Sequence, residues 1–160
     1  MEPLIDEEEA EVAASRLSHQ VLRLLAHTAL AVVSWLALMM LGYALNPPGI
    51  SQLVILLLST GVPLLVGFGV NRVRQDELAG AVWVIGFVWL LIVCLWILDM
   101  PTGQGACLHC DATEKLTRTF FSFPTPSGLI DNDGPFVGTW PTAALIGYGI
   151  GARLALRRKG

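Results

Sequence analysis

The side chains best suited to chemistry in this sequence are two cysteines and the histidine between them, in Cys107-Leu108-His109-Cys110. Two thiols at this spacing can form a disulfide, exchange electrons with another thiol, or bind a metal ion together with the imidazole. Loop entropy makes a four-residue disulfide ring worth only roughly 2 kcal/mol, against about 3 kcal/mol for fifteen residues. Stabilisation by a disulfide is by itself a weak reason for this close spacing. A structural disulfide, a redox-active pair and a metal site are therefore all compatible with the motif.

A closed metal site would need one more ligand than this motif offers. Structural zinc takes four ligands, and Cys107, His109 and Cys110 supply three at most. We therefore predict a disulfide between Cys107 and Cys110, no metal site and no catalytic residue. In the alternative, Cys107, Cys110 and His109 form a catalytic redox site, with His109 lowering the pKa of a thiol.

The elements that must position this motif are long apolar stretches. Hydrophobic residues make up 54% of the chain and charged residues 14%, against about 25% charged in a typical soluble domain. About 20 apolar residues span the roughly 30 Å hydrocarbon core of a bilayer. We predict an all-α integral membrane protein, a four-transmembrane-helix bundle with an extracytoplasmic loop that carries a short amphipathic helix. The predicted spans are Leu24–Leu45, Ile50–Val70, Ala79–Leu98 and Phe136–Ala152.

The basic residues predict how this bundle is oriented. Eight lie in the segments that flank the spans on one side, and only Lys115 and Arg118 lie on the other. Because basic residues collect on the cytoplasmic side, we predict both termini in the cytoplasm, in a bacterial cytoplasmic membrane. The cysteine pair then lies on the oxidising side, where a disulfide is the default state. The segments are an acidic cytoplasmic N-terminal helix (1–23), helices one to three (24–98), the extracytoplasmic loop (99–135), and helix four with a basic tail (136–160).

Two of these segments have further patterns. The N-terminal helix, with its crowded acidic residues, is either an extension of the first span or a docking tail for a basic partner. In the outer loop, Asp111 and Glu114 fit a capping box ahead of an amphipathic helix over Ala112–Phe121. Three phenylalanines of that region, at positions 120, 121 and 123, are expected to dip into the membrane interface.

Small residues recur every four positions along the fourth span, at Thr139, Ala143, Gly147 and Gly151. Such a stripe lets helix backbones approach closely in lipid, so we predict that it packs against another helix, of this chain or of a partner. Trp89, at mid-depth of the third span, is expected to pack against another helix or a bound apolar molecule.

His27 is the only histidine expected within a span, and no Asp, Glu, Lys or Arg lies inside one. Ion and proton pathways usually need such groups, so a self-sufficient transporter is not expected. One imidazole could ligate haem or a chlorophyll-type pigment, which makes His27 a weak candidate for cofactor binding. Quinone, pigment and haem therefore remain open as cofactors at a partner interface.

The redox alternative has a partial family resemblance. Four spans, cytoplasmic termini and an outer Cys-x-x-Cys resemble the quinone-coupled disulfide-forming membrane oxidoreductases and the vitamin K epoxide reductases. Only Cys107 and Cys110 carry over. Those families relay electrons between two cysteine pairs, whereas this chain has Cys94 alone as its third cysteine.

The missing catalytic groups favour a supporting role. We predict an accessory or assembly subunit of a larger membrane complex, respiratory (electron transport), photosynthetic or transport, which contributes helix packing and a docking loop. Its partners would be membrane lipid and other integral membrane subunits, without nucleic acid. The alternative is an extracytoplasmic thiol–disulfide oxidoreductase that uses Cys107 and Cys110.

Overall fold

The computed structural model of the chain describes residues 7–45, 51–100, 110–121 and 134–157. All regular secondary structure in these ranges is helical, which confirms the predicted all-α class. A 3-10 helix, Glu77–Ala81, connects directly to the start of α3. The α-helices are α1 Glu7–Leu45, α2 Gln52–Val73, α3 Val82–Asp99, α4 Ala112–Phe121, α5 Gly134–Val137 and α6 Thr139–Arg157.

Three helical segments are long and apolar enough to cross a membrane, namely Ala10–Leu45, Leu53–Val73 and Glu77–Asp99. Many of their apolar side chains point away from the bundle, as Leu65 (68% exposed) and Leu95 (69% exposed) do. An extended apolar exterior of this kind suits lipid rather than water. The described chain is therefore a membrane protein with three spans supported by length and composition.

The predicted fourth span corresponds to α6, and this part of the prediction is not shown. α6 is not among the helices that are apolar enough to span a membrane. It packs against α1, α2 and α3, and ten of its 19 residues are buried. Because its neighbours shield it, α6 can carry glycine, threonine and tyrosine where an outer helix needs leucine.

The closest helix approach described is that of α2 to α6. A Cβ atom added at Gly147 would overlap the carbonyl oxygen of Thr60, and one at Gly151 would overlap that of Leu64. On the α2 side, Gly67 meets the α6 backbone in the same way. Glycine is required at these positions because the two backbones are in direct contact.

The predicted N-terminal helix and first span form a single helix, α1, of 39 residues. Every residue from 10 to 23 is exposed, and the first half-buried position is Leu24. Further along, Ala31 and Trp35 are buried against the bundle. α1 therefore packs against the bundle from Leu24 onward. Between residues 10 and 23, the described contact to another element is that of the Arg23 guanidinium with Asp76.

The predicted amphipathic helix is confirmed as α4, with the bounds expected from sequence. The Asp111 carboxylate accepts a hydrogen bond from the Glu114 backbone N–H at 2.7 Å, as an N-cap does. The Glu114 carboxylate pairs with Arg118 one turn later, at 2.5 Å.

One phenylalanine of α4 was wrongly expected in the membrane interface. Phe120 is buried and packs with Val93 and Ile97 of α3, because α4 lies over the last turns of that helix. Phe121 is 67% exposed, and Phe123 lies outside the described residues. The Lys115 ammonium further ties the two helices together, since it donates to the carbonyl oxygen of Met100 at 2.5 Å.

Candidate functional site

An imidazole, a carboxylate and a phenol meet at the end of the bundle that holds the α2–α3 connection. His27 Nδ1 lies 2.8 Å from the hydroxyl oxygen of Tyr148, and His27 Nε2 lies 3.5 Å from Asp76 Oδ2. Tyr148 is fully buried, and the side chains of His27 and Asp76 are each 12% exposed. We call these three residues the Asp76 cluster; they come from α1, the α2–α3 connection and α6.

Local hydrogen bonds fix Asp76 in this position. Its backbone N–H donates to Asn71 Oδ1 at 2.7 Å, which turns the chain directly after α2. Its Oδ1 accepts from the Leu78 N–H at 3.0 Å and so caps the 3-10 helix. The remaining oxygen, Oδ2, lies 3.6 Å from Arg23 Nη1 and faces His27.

Two further contacts join the same connection to α6. The Asn71 amide donates to the carbonyl oxygen of Ala152 at 3.0 Å, and Arg153 Nε donates to that of Gly80 at 3.0 Å. The Arg153 guanidinium also lies over the Trp83 ring, 5.4 Å from its centroid, a distance at which a cation is attracted to the ring face. The network thereby links α1, α2, α3 and α6 at one end.

The Asp76 cluster can hold a proton on any of three side chains. A neutral imidazole has one donor and one acceptor nitrogen, so the nitrogen that carries the proton donates and the other nitrogen accepts. The carboxylate end faces the partly exposed Arg23, whereas the phenol end is buried in the bundle. No second carboxylate, lysine or histidine extends the chain beyond Tyr148 among the described contacts. The arrangement is therefore better suited to holding the helices together through polar contacts than to conducting protons across the membrane.

His27 is also the residue singled out above as a candidate cofactor ligand. An axial ligand needs a ring nitrogen that can face the metal. Both ring nitrogens of His27 face partners, one the Tyr148 hydroxyl and the other the Asp76 carboxylate. Haem or pigment ligation by His27 stays a prediction, and it would require one of these contacts to be given up.

The cysteine motif is only partly described. Cys107 and His109 lie outside the described residues, so the disulfide, redox and metal alternatives remain predictions. Cys110 is buried, with 8% of its surface exposed, and lies immediately ahead of α4. Cys94 is a free thiol on α3, and it packs against the cluster of Val93, Ile97 and Phe120.

The stripe of small residues along α6 lies in more than one environment. Gly147 and Gly151 contact the α2 backbone, and Ala143 is half-buried. The Thr139 hydroxyl instead donates to the carbonyl oxygen of Phe120 at 2.8 Å, which ties α6 to α4. Trp89 also has a polar contact, since its indole N–H donates to the carbonyl oxygen of Val137 at 3.0 Å.

Sequence reasoning did not identify Asp76 or Tyr148 as partners of His27. Asp76 precedes the 3-10 helix as an N-cap, and this local pattern was a readable signal. Tyr148 gave no signal, because its contact with His27 joins residues 121 positions apart. Within the described ranges, no group of three or more His, Cys, Asp or Glu side chains could hold a metal ion. Comparison with known protein families, curated proteins and solved structures finds no match to this chain.

Proposed function

We propose that this protein is an accessory or assembly subunit of a larger membrane complex, respiratory, photosynthetic or transport, and that the first half of α1 docks onto another integral subunit. The carrying observation is the run of exposed residues from 10 to 23, which no other described element covers. Exposed apolar side chains on such a helix mark an interaction surface when they form a contiguous patch.

The length of α1 supports this role. Its 39 residues extend about 58 Å at 1.5 Å per residue, whereas the hydrocarbon core is roughly 30 Å thick. About half of the helix is therefore available outside the hydrocarbon. Within that half, Leu17 is 62% exposed and Val21 is 48% exposed.

Helical register places these side chains on one continuous seam. Leu17, Val21, Leu24, Ala31 and Trp35 follow one another at steps of three, four or seven residues, which keep them on one face of the helix. The last two are buried against the bundle, so the same seam runs from buried positions into the exposed first part of α1. A helix from a partner subunit, apolar on one face and flanked by basic residues, fits a seam that runs toward the acidic start of the chain.

The same proposal includes a fourth membrane crossing by α6, with both termini in the cytoplasm. The 19 residues of α6 extend about 28 Å, close to the hydrocarbon thickness. The distribution of basic residues supports this orientation. A cysteine placed at Gln75 would then be labelled by an impermeant thiol reagent only after the cells are opened.

Native mass analysis after purification in mild detergent tests the docking role. We expect the wild-type chain to co-purify with other integral subunits, and Leu17→Asp with Val21→Asp to lose them. Leu22→Asp is the matched control, since Leu22 is 64% exposed but lies off the seam. A wild-type chain that runs alone, or an equal loss of subunits in the control, contradicts the proposal.

A second candidate is an extracytoplasmic thiol–disulfide oxidoreductase. The observation in its favour is that Cys110 directly precedes α4, while the free thiol of Cys94 packs against a cluster that includes Phe120 of α4. A disulfide of Cys107 and Cys110 would take two electrons and two protons from a substrate dithiol, and a membrane quinone would reoxidise it. Structural disulfides typically have potentials below about −300 mV. A potential in that range, with normal function of Cys107→Ser, would leave the pair as scaffolding.

A further inference from the structure

Two buried indole N–H groups lie in one side-chain cluster at the α4 end of the bundle. Trp35 of α1 and Trp140 of α6 are 5% and 9% exposed, and they pack together with Ala144. Neither indole nitrogen has a hydrogen-bond partner among the described residues, and both atoms are fully covered. We call these two residues the indole pair.

Only one other buried side-chain polar atom among the described residues has no partner, the Ser59 hydroxyl oxygen of α2. The Trp89 indole, in contrast, donates to the carbonyl oxygen of Val137, one residue beyond Phe136. A buried donor without an acceptor is unfavourable because it loses its bond to water and gains none in return. In a hydrocarbon environment no bulk water is available to compensate. Two such donors from different helices in one cluster point to an acceptor that the described residues do not supply.

The surrounding side chains restrict the chemistry of that acceptor. The apolar residues Met39, Ile55 and Leu56 pack against the cluster. A charged ligand would find no counter-charge in these helices, since α1 after Arg23, α2 before Arg72 and α6 before Arg153 hold no Asp, Glu, Lys or Arg. The matching group is a carbonyl oxygen on a neutral, apolar molecule.

Phe136 connects the indole pair to the protein surface. Its ring contacts both indoles, with its centroid 5.2 Å from that of Trp35 and 6.1 Å from that of Trp140. Because Phe136 is 39% exposed, its ring extends from the buried pair to the surface of the described chain. We propose that the indole pair binds the carbonyl oxygen of a neutral, lipid-soluble molecule between α1 and α6. A quinone and the acyl ester of a phospholipid share this chemistry.

The indole resonances of the full chain, labelled with 15N-tryptophan in lipid nanodiscs, test this proposal. Three preparations distinguish the sources: diether phospholipid without ester carbonyls, diether phospholipid with added ubiquinone, and diester phospholipid. Trp35→Phe and Trp140→Phe assign the pair, and Trp89 is the internal control because its N–H is already bonded. We expect both N–H protons of the pair to move downfield in at least one carbonyl-containing preparation, while Trp89 stays in place.

Movement only in diester lipid identifies a lipid ester as the source, movement only with ubiquinone identifies a quinone, and both results support the site. For the effective ligand, Trp140→Phe should weaken binding about five- to tenfold, the value of one hydrogen bond. Unchanged resonances of the pair in all three preparations overturn the proposal. Movement of Trp89 as large as that of the pair also overturns it.

Discussion

The contact between α2 and α6 gives the sharpest quantitative prediction. Gly151→Ala adds one methyl group where the two backbones touch. The new Cβ would overlap the Leu64 carbonyl oxygen, lie 2.8 Å from its carbonyl carbon, and lie 3.0 Å from the Phe68 backbone nitrogen. These are main-chain atoms, so no side-chain rotation can relieve the overlap.

The size of the effect follows from these distances. Non-bonded carbon atoms prefer about 3.5–4.0 Å, so the helices must separate by roughly 1 Å locally. Overpacking of this kind costs about 1–3 kcal/mol. Alanine also stabilises a helix interior by about 0.8–1.0 kcal/mol relative to glycine. Gly69→Ala is the matched control, because nothing lies within 4 Å of a Cβ at Gly69. This variant gains the same helix propensity without any overlap.

Unfolding by SDS in mixed micelles, followed by tryptophan fluorescence and circular dichroism, measures both variants. We expect Gly69→Ala to raise the free energy of unfolding slightly. The free energy of unfolding of Gly151→Ala should lie about 1–3 kcal/mol below that of Gly69→Ala, because both variants gain the same helix propensity and only Gly151→Ala has the overlap. Equal stability of the two variants would refute the backbone contact and with it the central placement of α6.

Two further predictions concern the Asp76 cluster and use the same unfolding assay. Asp76→Ala removes a helix cap and the partner of His27, so we expect the free energy of unfolding to fall by about 1–3 kcal/mol. The control is Glu77→Ala, at the adjacent exposed position, which should change stability little. Equal losses in the two variants would contradict the role assigned to Asp76. Tyr148→Phe leaves one ring nitrogen of His27 without its hydroxyl partner and should cost about 1 kcal/mol. Its control is Tyr43→Phe, at a 90% exposed position, and a Tyr148→Phe variant as stable as this control would show that the hydroxyl contact contributes nothing.

Features that depend on neighbouring residues could be predicted from the sequence. Helix periodicity and capping act within a few positions, so the bounds of α4 and the Asp111 cap are confirmed. Apolar length is equally local, and three of the four predicted spans are therefore supported. The pattern also predicted close helix packing at Gly147 and Gly151, although it could not say which helix would lie there.

The features that only the tertiary structure decided depend on contacts between residues that are distant in sequence. The hydropathy of α6 alone does not reveal that other helices surround it and remove its need for a fully apolar surface. The membrane-interface position predicted for Phe120 was wrong because amphipathic periodicity is the same whether the apolar face of a helix meets lipid or protein. His27 acquires its partners Asp76 and Tyr148 only when three elements pack together. Local periodicity thus determined the helices, and long-range packing decided which faces meet and which polar groups find partners.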